Sequence, residues 1–138
     1  MPTLPQTVRL VLLSLALWIA ATLYIRFMPQ ALTDPLQGNI GFLTTPLAGW
    51  LSVWLIRVCG KLSAEQLIPG VAVVGAVAMM IDGAALRWAH EVYGSDETTV
   101  RLGAAWLLWG YGVSLAIALF KAARSAPSPR PDYAAWPR

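Results

Sequence analysis

Charged residues divide this sequence into long uncharged intervals. Arg9 and Arg26 enclose 16 uncharged positions, Asp34 and Arg57 enclose 22, Glu65 and Asp82 enclose 16, and Arg101 and Lys121 enclose 19. A helix that crosses a bilayer needs about 20 mainly apolar residues to traverse roughly 30 Å of hydrocarbon. Arginine near a helix end snorkels to the headgroups, so the interval after Arg9 is long enough. The pattern predicts four spans, at about 8–28, 42–60, 68–89 and 101–121. The expected fold is therefore all-α: a polytopic membrane protein built as a bundle of four transmembrane helices over residues 1–121. A Pro-rich tail, residues 122–138, follows it.

Local signals refine the spans. The first is rich in Leu, without Gly or Pro from Val8 to Met28, and Pro29 ends it because proline disfavours helical geometry in the residue before it. The segment Pro29–Gly41 carries two turn signals, Asp34-Pro35 and Gly38-Asn39. In the second span, Thr45-Pro46 reads as an N-cap followed by proline in the first helical position. A helix from there to Gly60 measures only about 22 Å. Either the helix starts near Gly41 and kinks at Pro46, with the freed carbonyl satisfied by neighbours, or the chain breaks and dips inward, as at some solute sites.

The third span divides into two stripes. Ala72, Gly75, Met79, Asp82, Leu86 and Ala89 follow at steps of three or four, and this small-residue stripe is expected to face the bundle. The bulkier Val73, Val77, Ile81, Ala84 and Trp88 are expected to face lipid. The fourth span has small residues at four-residue spacing, Gly110 with Ser114 and Gly112 with Ala116, which would let a neighbouring helix approach closely. Trp50, Trp54, Trp88, Trp106 and Trp109 read as interface anchors, whereas Trp18 lies too deep and reads as packing. The tail contains Pro127, Pro129, Pro131 and Pro137 with Arg124, Arg130 and Arg138; lacking apolar periodicity, it reads as disordered and cytoplasmic.

Composition changes the picture only by excluding alternatives. Of the 138 residues, 57% are hydrophobic and 12% charged, against about 25% charged in a typical soluble domain. That composition argues against an ordinary soluble enzyme and excludes an extended disordered chain. Charge then orients the spans. Arg9, Arg57, Lys61, Lys121, Arg124, Arg130 and Arg138 fall on the face that holds both termini, and positive charge in short loops marks the cytoplasmic side. Both termini are thus expected in the cytoplasm. A cleaved signal peptide fits poorly, because the first apolar stretch is long and runs directly into Tyr24-Ile25-Arg26-Phe27 without a clean small-x-small cleavage site. Cys59 has no second cysteine with which to form a disulfide or a metal site.

Asp82 is the one acid well inside a span, about seven residues, or roughly 10 Å, from the end of the helix. An aspartate at the centre of a membrane helix costs about 2.5–3.5 kcal/mol on insertion scales. Two readings follow. Asp82 forms an intramembrane ion pair, with Arg26 or Arg101, that fixes helix register, or it serves as a proton or cation site. Arg87 lies about 140° around the same helix and is badly placed for pairing. His90 and Glu91, with Asp96 and Glu97, offer too few convergent ligands for a metal. No catalytic constellation, phosphate loop or cofactor motif is present, and the net charge of +3 follows the topology instead of marking a nucleic-acid surface.

Two segments, Met80-Ile81-Asp82-Gly83-Ala84-Ala85-Leu86 and Ala105-Trp106-Leu107-Leu108-Trp109-Gly110-Tyr111-Gly112, carry a resemblance across most of residues 8–121. There the chain resembles an uncharacterised bacterial family of small four-helix integral membrane proteins, a domain of unknown function. The resemblance implies a bacterial inner-membrane location and transfers no catalytic residues. The resulting expectation is a structural or accessory membrane protein, not an enzyme, that packs in lipid with itself or with a membrane-protein partner. The alternative is a small proton-coupled solute or cation transporter using Asp82. A lipid-modifying enzyme with His90 and Glu91 at headgroup level ranks last.

Overall fold

The computed structural model describes residues 1–125. It is all-helical among those residues, with the order α1 (Leu4–Phe27), α2 (Gln30–Thr33), α3 (Pro35–Gly60), α4 (Leu67–Trp88) and α5 (Glu97–Ser125). Short 3-10 turns at Ala64–Gln66 and His90–Val92 flank α4. Four helices, all but α2, are long and apolar enough to cross a membrane. α1, α3 and α5 are longer than their expected spans, and α4 matches its expected length, shifted by one residue. α5 continues through Ala122–Ser125, four residues into the segment expected as tail, and the rest of that tail lies outside the described residues.

The helix ends follow from capping. The Thr3 backbone N–H donates to the Gln6 side chain at 2.8 Å at the start of α1, and Pro29 follows its last turn. Asp34 caps α3 by accepting from the Gln37 backbone N–H at 2.8 Å, with Pro35 in the first helical position. Asp34-Pro35, expected as a loop turn, is thus the start of α3, and of the two alternatives at Pro46 the helix that runs on through it is the one found, beginning earlier than the expected Gly41. Both dipeptides carry the same start signature, and the earlier one prevails because the longer helix of 26 residues spans the hydrocarbon, at about 39 Å, where the shorter would not.

Pro46 therefore lies inside α3, where its missing N–H leaves the Phe42 carbonyl without its helical donor. Trp109 supplies the replacement. Its indole Nε1 donates to the Phe42 carbonyl at 3.0 Å, and the two rings stack with centroids 5.9 Å apart. One turn away, Trp106 Nε1 donates to Thr45 Oγ1 at 3.1 Å, while that hydroxyl donates to the Gly41 carbonyl at 2.8 Å. Two of the tryptophans expected as interface anchors thus bond α3 around Pro46 from α5, Trp109 at the freed carbonyl and Trp106 at the neighbouring hydroxyl. Trp50 keeps an exposed position, with the Lys121 ammonium 4.9 Å from its ring centroid.

α3 packs most extensively on α5, and α1 on α4. Apolar residues are buried in two clusters, one around Leu10, Val53, Leu67 and Val74 and the other around Ile25, Leu32, Tyr93 and Leu107. Along α1, by contrast, Val8, Leu12, Leu15, Ile19 and Leu23 form an exposed stripe suited to lipid.

The stripe of α4 that is buried is Leu67, Gly70, Val71, Val74, Ala78 and Asp82, which keeps Asp82 from the expected stripe but otherwise lies about one residue to its N-terminal side. Ala72 and Met79 are exposed, and Gly75 is half-buried, with no neighbouring helix within 4 Å of where its Cβ would stand. Close packing falls elsewhere. A Cβ on Gly70 would stand 2.2 Å from Leu62, one on Gly103 2.9 Å from Ile25, and one on Gly49 3.3 Å from Ser114 Oγ. Gly110 and Ser114 do face α3, whereas Gly112 and Ala116 are exposed.

Two measurements test these contacts. Trp109→Phe leaves the Phe42 carbonyl unsatisfied in a setting without water, so unfolding in detergent should show a loss of about 1–3 kcal/mol. A variant as stable as wild type would contradict the repair. At the start of α5, Asp96 accepts from the Thr99 backbone N–H at 2.8 Å and from its hydroxyl at 3.0 Å, and these bonds hold the Asp96 carboxyl below its usual 3.8. The cap is thus complete above that value and is lost as pH falls through the lower, folded one. The Thr99 amide resonance should titrate with a midpoint below 3.8; a midpoint at or above it would contradict the cap.

Candidate functional site

Val71, Val74, Ala78 and Asp82 follow at steps of three and four along α4, so the carboxylate of Asp82 enters the bundle with the apolar face that α4 buries. It is only 5% exposed. Three neutral donors reach it. Trp18 Nε1 of α1 donates to Oδ1 at 2.8 Å, the Tyr93 hydroxyl donates to the same oxygen, and the Tyr111 hydroxyl of α5 donates to Oδ2. The Trp18 N–H also lies 3.4 Å from the Tyr93 hydroxyl oxygen. A carboxylate is an acceptor with about four lone-pair sites, so three donors satisfy most of its capacity.

Tyr93 reaches this position because the chain does not leave the bundle at the end of α4. The His90–Val92 turn folds inward and leaves Tyr93 fully buried. Burial, and then its hydrogen bond to Asp82, push the Tyr93 hydroxyl well above the usual phenol range, so it remains a donor. Arg26 holds the turn in place: its guanidinium donates to the Glu91 carbonyl at 2.8 Å and to the Val92 carbonyl at 3.3 Å. Thr22, one turn beyond Trp18 on α1, has a buried hydroxyl with no hydrogen-bond partner among the described residues.

The ion pair expected from the sequence is therefore not the arrangement found. Neither Arg26 nor Arg101 donates to Asp82: Arg26 is spent on backbone carbonyls, and Arg101 is exposed at the start of α5. The physical reason is competition. Two phenols and an indole satisfy the acid without the cost of bringing a guanidinium out of the headgroup region. Trp18 and Tyr111 had a signal in the sequence, because a buried indole or phenol needs a polar partner and Asp82 was the one acid at that depth. Tyr93 had none, lying in a segment that read as an outer loop.

The remaining candidates stay apart. His90, Glu91, Asp96 and Glu97 are all exposed, and no group of three metal-ligating side chains occurs among the described residues. Cys59 is exposed and free. Beside the acid, a cavity of about 490 Å³ lies between the four long helices, with Trp18 and Tyr111 in its wall.

The arrangement assigns Asp82 the role of a shared acceptor joining α1, α4, the His90–Val92 turn and α5. Asp82→Ala strands three donors, each costing about 1–3 kcal/mol when left unpaired, so thermal unfolding in detergent should show a loss of at least about 3 kcal/mol. Asp82→Asn keeps one acceptor oxygen and should lose less. Tyr111→Phe, which strands no donor, should cost about 1–3 kcal/mol. Wild-type stability in Asp82→Ala would contradict this role.

Comparisons with family models, with curated proteins and with solved structures found no match to this chain.

Proposed function

We propose that this chain is a structural or accessory integral membrane protein that acts by helix packing, with itself or with a membrane partner, and not by catalysis. The observation that carries this reading is the engagement of Asp82 by three donors at once. The one deeply buried acid among the described residues is spent on donors from three other segments of the chain. A carboxylate committed in this way serves as a lock on helix positions.

Its setting in this proposal is the bacterial inner (cytoplasmic) membrane, in the family of small four-helix membrane proteins that its Asp-Gly and Trp-x-x-Trp-Gly segments resemble. Both termini lie on the cytoplasmic side. Support for that orientation comes from Arg57 and Lys61, which share an end of the bundle with the N-terminus: the Gln6 side chain donates to the Lys61 carbonyl at 2.9 Å.

A second reading, a small proton-coupled solute or cation transporter, draws on one specific observation. The cavity reaches Trp18 and Tyr111, two of the groups bonded to Asp82, so a solute there would touch the donors of the acid. One pair of experiments separates the two. The packing reading expects a self-complex or a partner complex of fixed stoichiometry on extraction in mild detergent. It also expects that expression leaves cellular sensitivity to cationic dyes unchanged. A solitary monomer would contradict it. A change in sensitivity that Asp82→Asn abolishes would establish transport instead.

A further inference from the structure

The cavity beside the acid is a consequence of sequence. On α4, Ala72, Gly75 and Ala76 present almost no side chain, and on α5 Gly112 presents none. The glycines differ from the tightly packed Gly49, Gly70 and Gly103. A Cβ on Gly75 would meet only Met79 Cε, at 3.6 Å, and a Cβ on Gly112 would meet nothing within 4 Å. These residues hold space open instead of admitting a neighbouring backbone. The resulting volume, about 490 Å³, lies within the roughly 300–1,000 Å³ typical of small-molecule sites.

Its mouth faces sideways. Ala72, Ala76 and Met79 of α4 and Leu108, Gly112 and Leu115 of α5 all line the cavity, and all are exposed on the bundle surface. Since both helices are long and apolar enough to cross a membrane, the opening lies in hydrocarbon at middle depth and not toward water. No Asp, Glu, Lys, Arg or His is among the lining residues, which excludes a charged ligand on desolvation grounds.

The wall does carry uncommitted hydrogen-bonding groups. Several serine and threonine hydroxyls elsewhere in the helices find acceptors: Ser14 donates to the Val74 carbonyl, and Thr44, Thr45 and Ser125 donate back to their own helices, while the unpartnered Thr22 lies outside the cavity wall. Ser52 of α3 and Ser114 of α5 line the cavity and make no hydrogen bond among the described residues. They belong to the same α3–α5 approach, where Ser114 Oγ lies over Gly49. In hydrocarbon, where no water competes, a hydroxyl donor with no acceptor favours a ligand that supplies one.

We infer that the cleft between α4 and α5 is a binding site for an uncharged, membrane-dissolved lipophile carrying a carbonyl-type oxygen. The ligand enters sideways from the bilayer. Its chain lies along the Ala72–Gly75–Ala76 surface, and its oxygen accepts hydrogen bonds from Ser52 and Ser114. This goes beyond the packing role, because a bundle that only packs has no use for an open slot with two unspent donors.

The test compares 2-tridecanone with tridecane, titrated into the full chain in phosphatidylcholine nanodiscs, with the thermal midpoint as readout. Saturating ketone should raise the midpoint by about 5 °C, and the alkane by distinctly less. The double variant Ser52→Ala/Ser114→Ala should lose the preference for ketone over alkane. Gly75→Leu fills the slot and should abolish both shifts. Gly112→Leu, whose added side chain starts in open space, is a second blocking variant should the first fail to fold. No shift with ketone, equal shifts with ketone and alkane in the wild type, or a full shift that survives both blocking variants would each overturn the assignment.

Discussion

A carboxylate inside a membrane helix has no water to fall back on, and the arrangement of this protein follows from meeting that demand with neutral donors. Placing Asp82 in the apolar layer costs about 2.5–3.5 kcal/mol. The fold offsets that cost by bringing an indole from α1, a phenol from α5 and a phenol from the turn after α4 to the same two oxygens. Each donor fixes the rotation of the element that carries it. The buried face of α4, the inward fold of His90–Val92 and the position of Tyr111 on α5 are therefore linked choices. Arg26 serves the same end at one remove, because it holds the turn that delivers Tyr93.

The same rule governs Pro46. A proline within a membrane helix frees a carbonyl, and in hydrocarbon that carbonyl must find another donor. α5 provides it through Trp109, while Trp106 bonds the neighbouring Thr45. Aromatic side chains with polar tips thus repair both weak points of the bundle, the acid and the proline. α5 contributes to both, with Trp106 and Trp109 on the α3 side and Tyr111 on the α4 side. Glycine is divided between two uses in turn: Gly49, Gly70 and Gly103 bring elements together, while Gly75 and Gly112 leave the cleft.

The intervals between charges made the helix count and the helical class legible in the sequence, because uncharged length is what a bilayer demands. Boundaries were less legible where two signals competed. Asp34-Pro35 and Thr45-Pro46 carry the same start signature, and only the need to span the hydrocarbon chooses between them. The buried face of α4 was misread by about one residue, since small residues were taken to mark contact. In the fold, Val71, Val74 and Ala78 make the contact, and Ala72 and Gly75 border open space. Asp82 itself was legible as the residue of interest; Trp18 and Tyr111 carried a signal that the expectation of Trp18 as packing and of an arginine partner passed over. Charge suggested arginine, whereas the decisive property was the ability of an indole or phenol to stay in the apolar layer and still donate. Tyr93 could not be read at all, because its role depends on a turn folding back across 11 residues of sequence.

The central claim is that Asp82 and its donors act as one unit. A double-mutant cycle on unfolding free energy, with Asp82→Asn and Tyr111→Phe singly and together, addresses it directly. Residues in one hydrogen-bond network couple by about 0.5–3 kcal/mol, whereas independent sites add within about 0.3–0.5 kcal/mol. The account predicts a coupling of at least about 1 kcal/mol, with the double variant losing less than the sum of the single losses. Additive losses would mean that the phenol and the acid stabilise the bundle separately, and the shared-acceptor account would then be wrong.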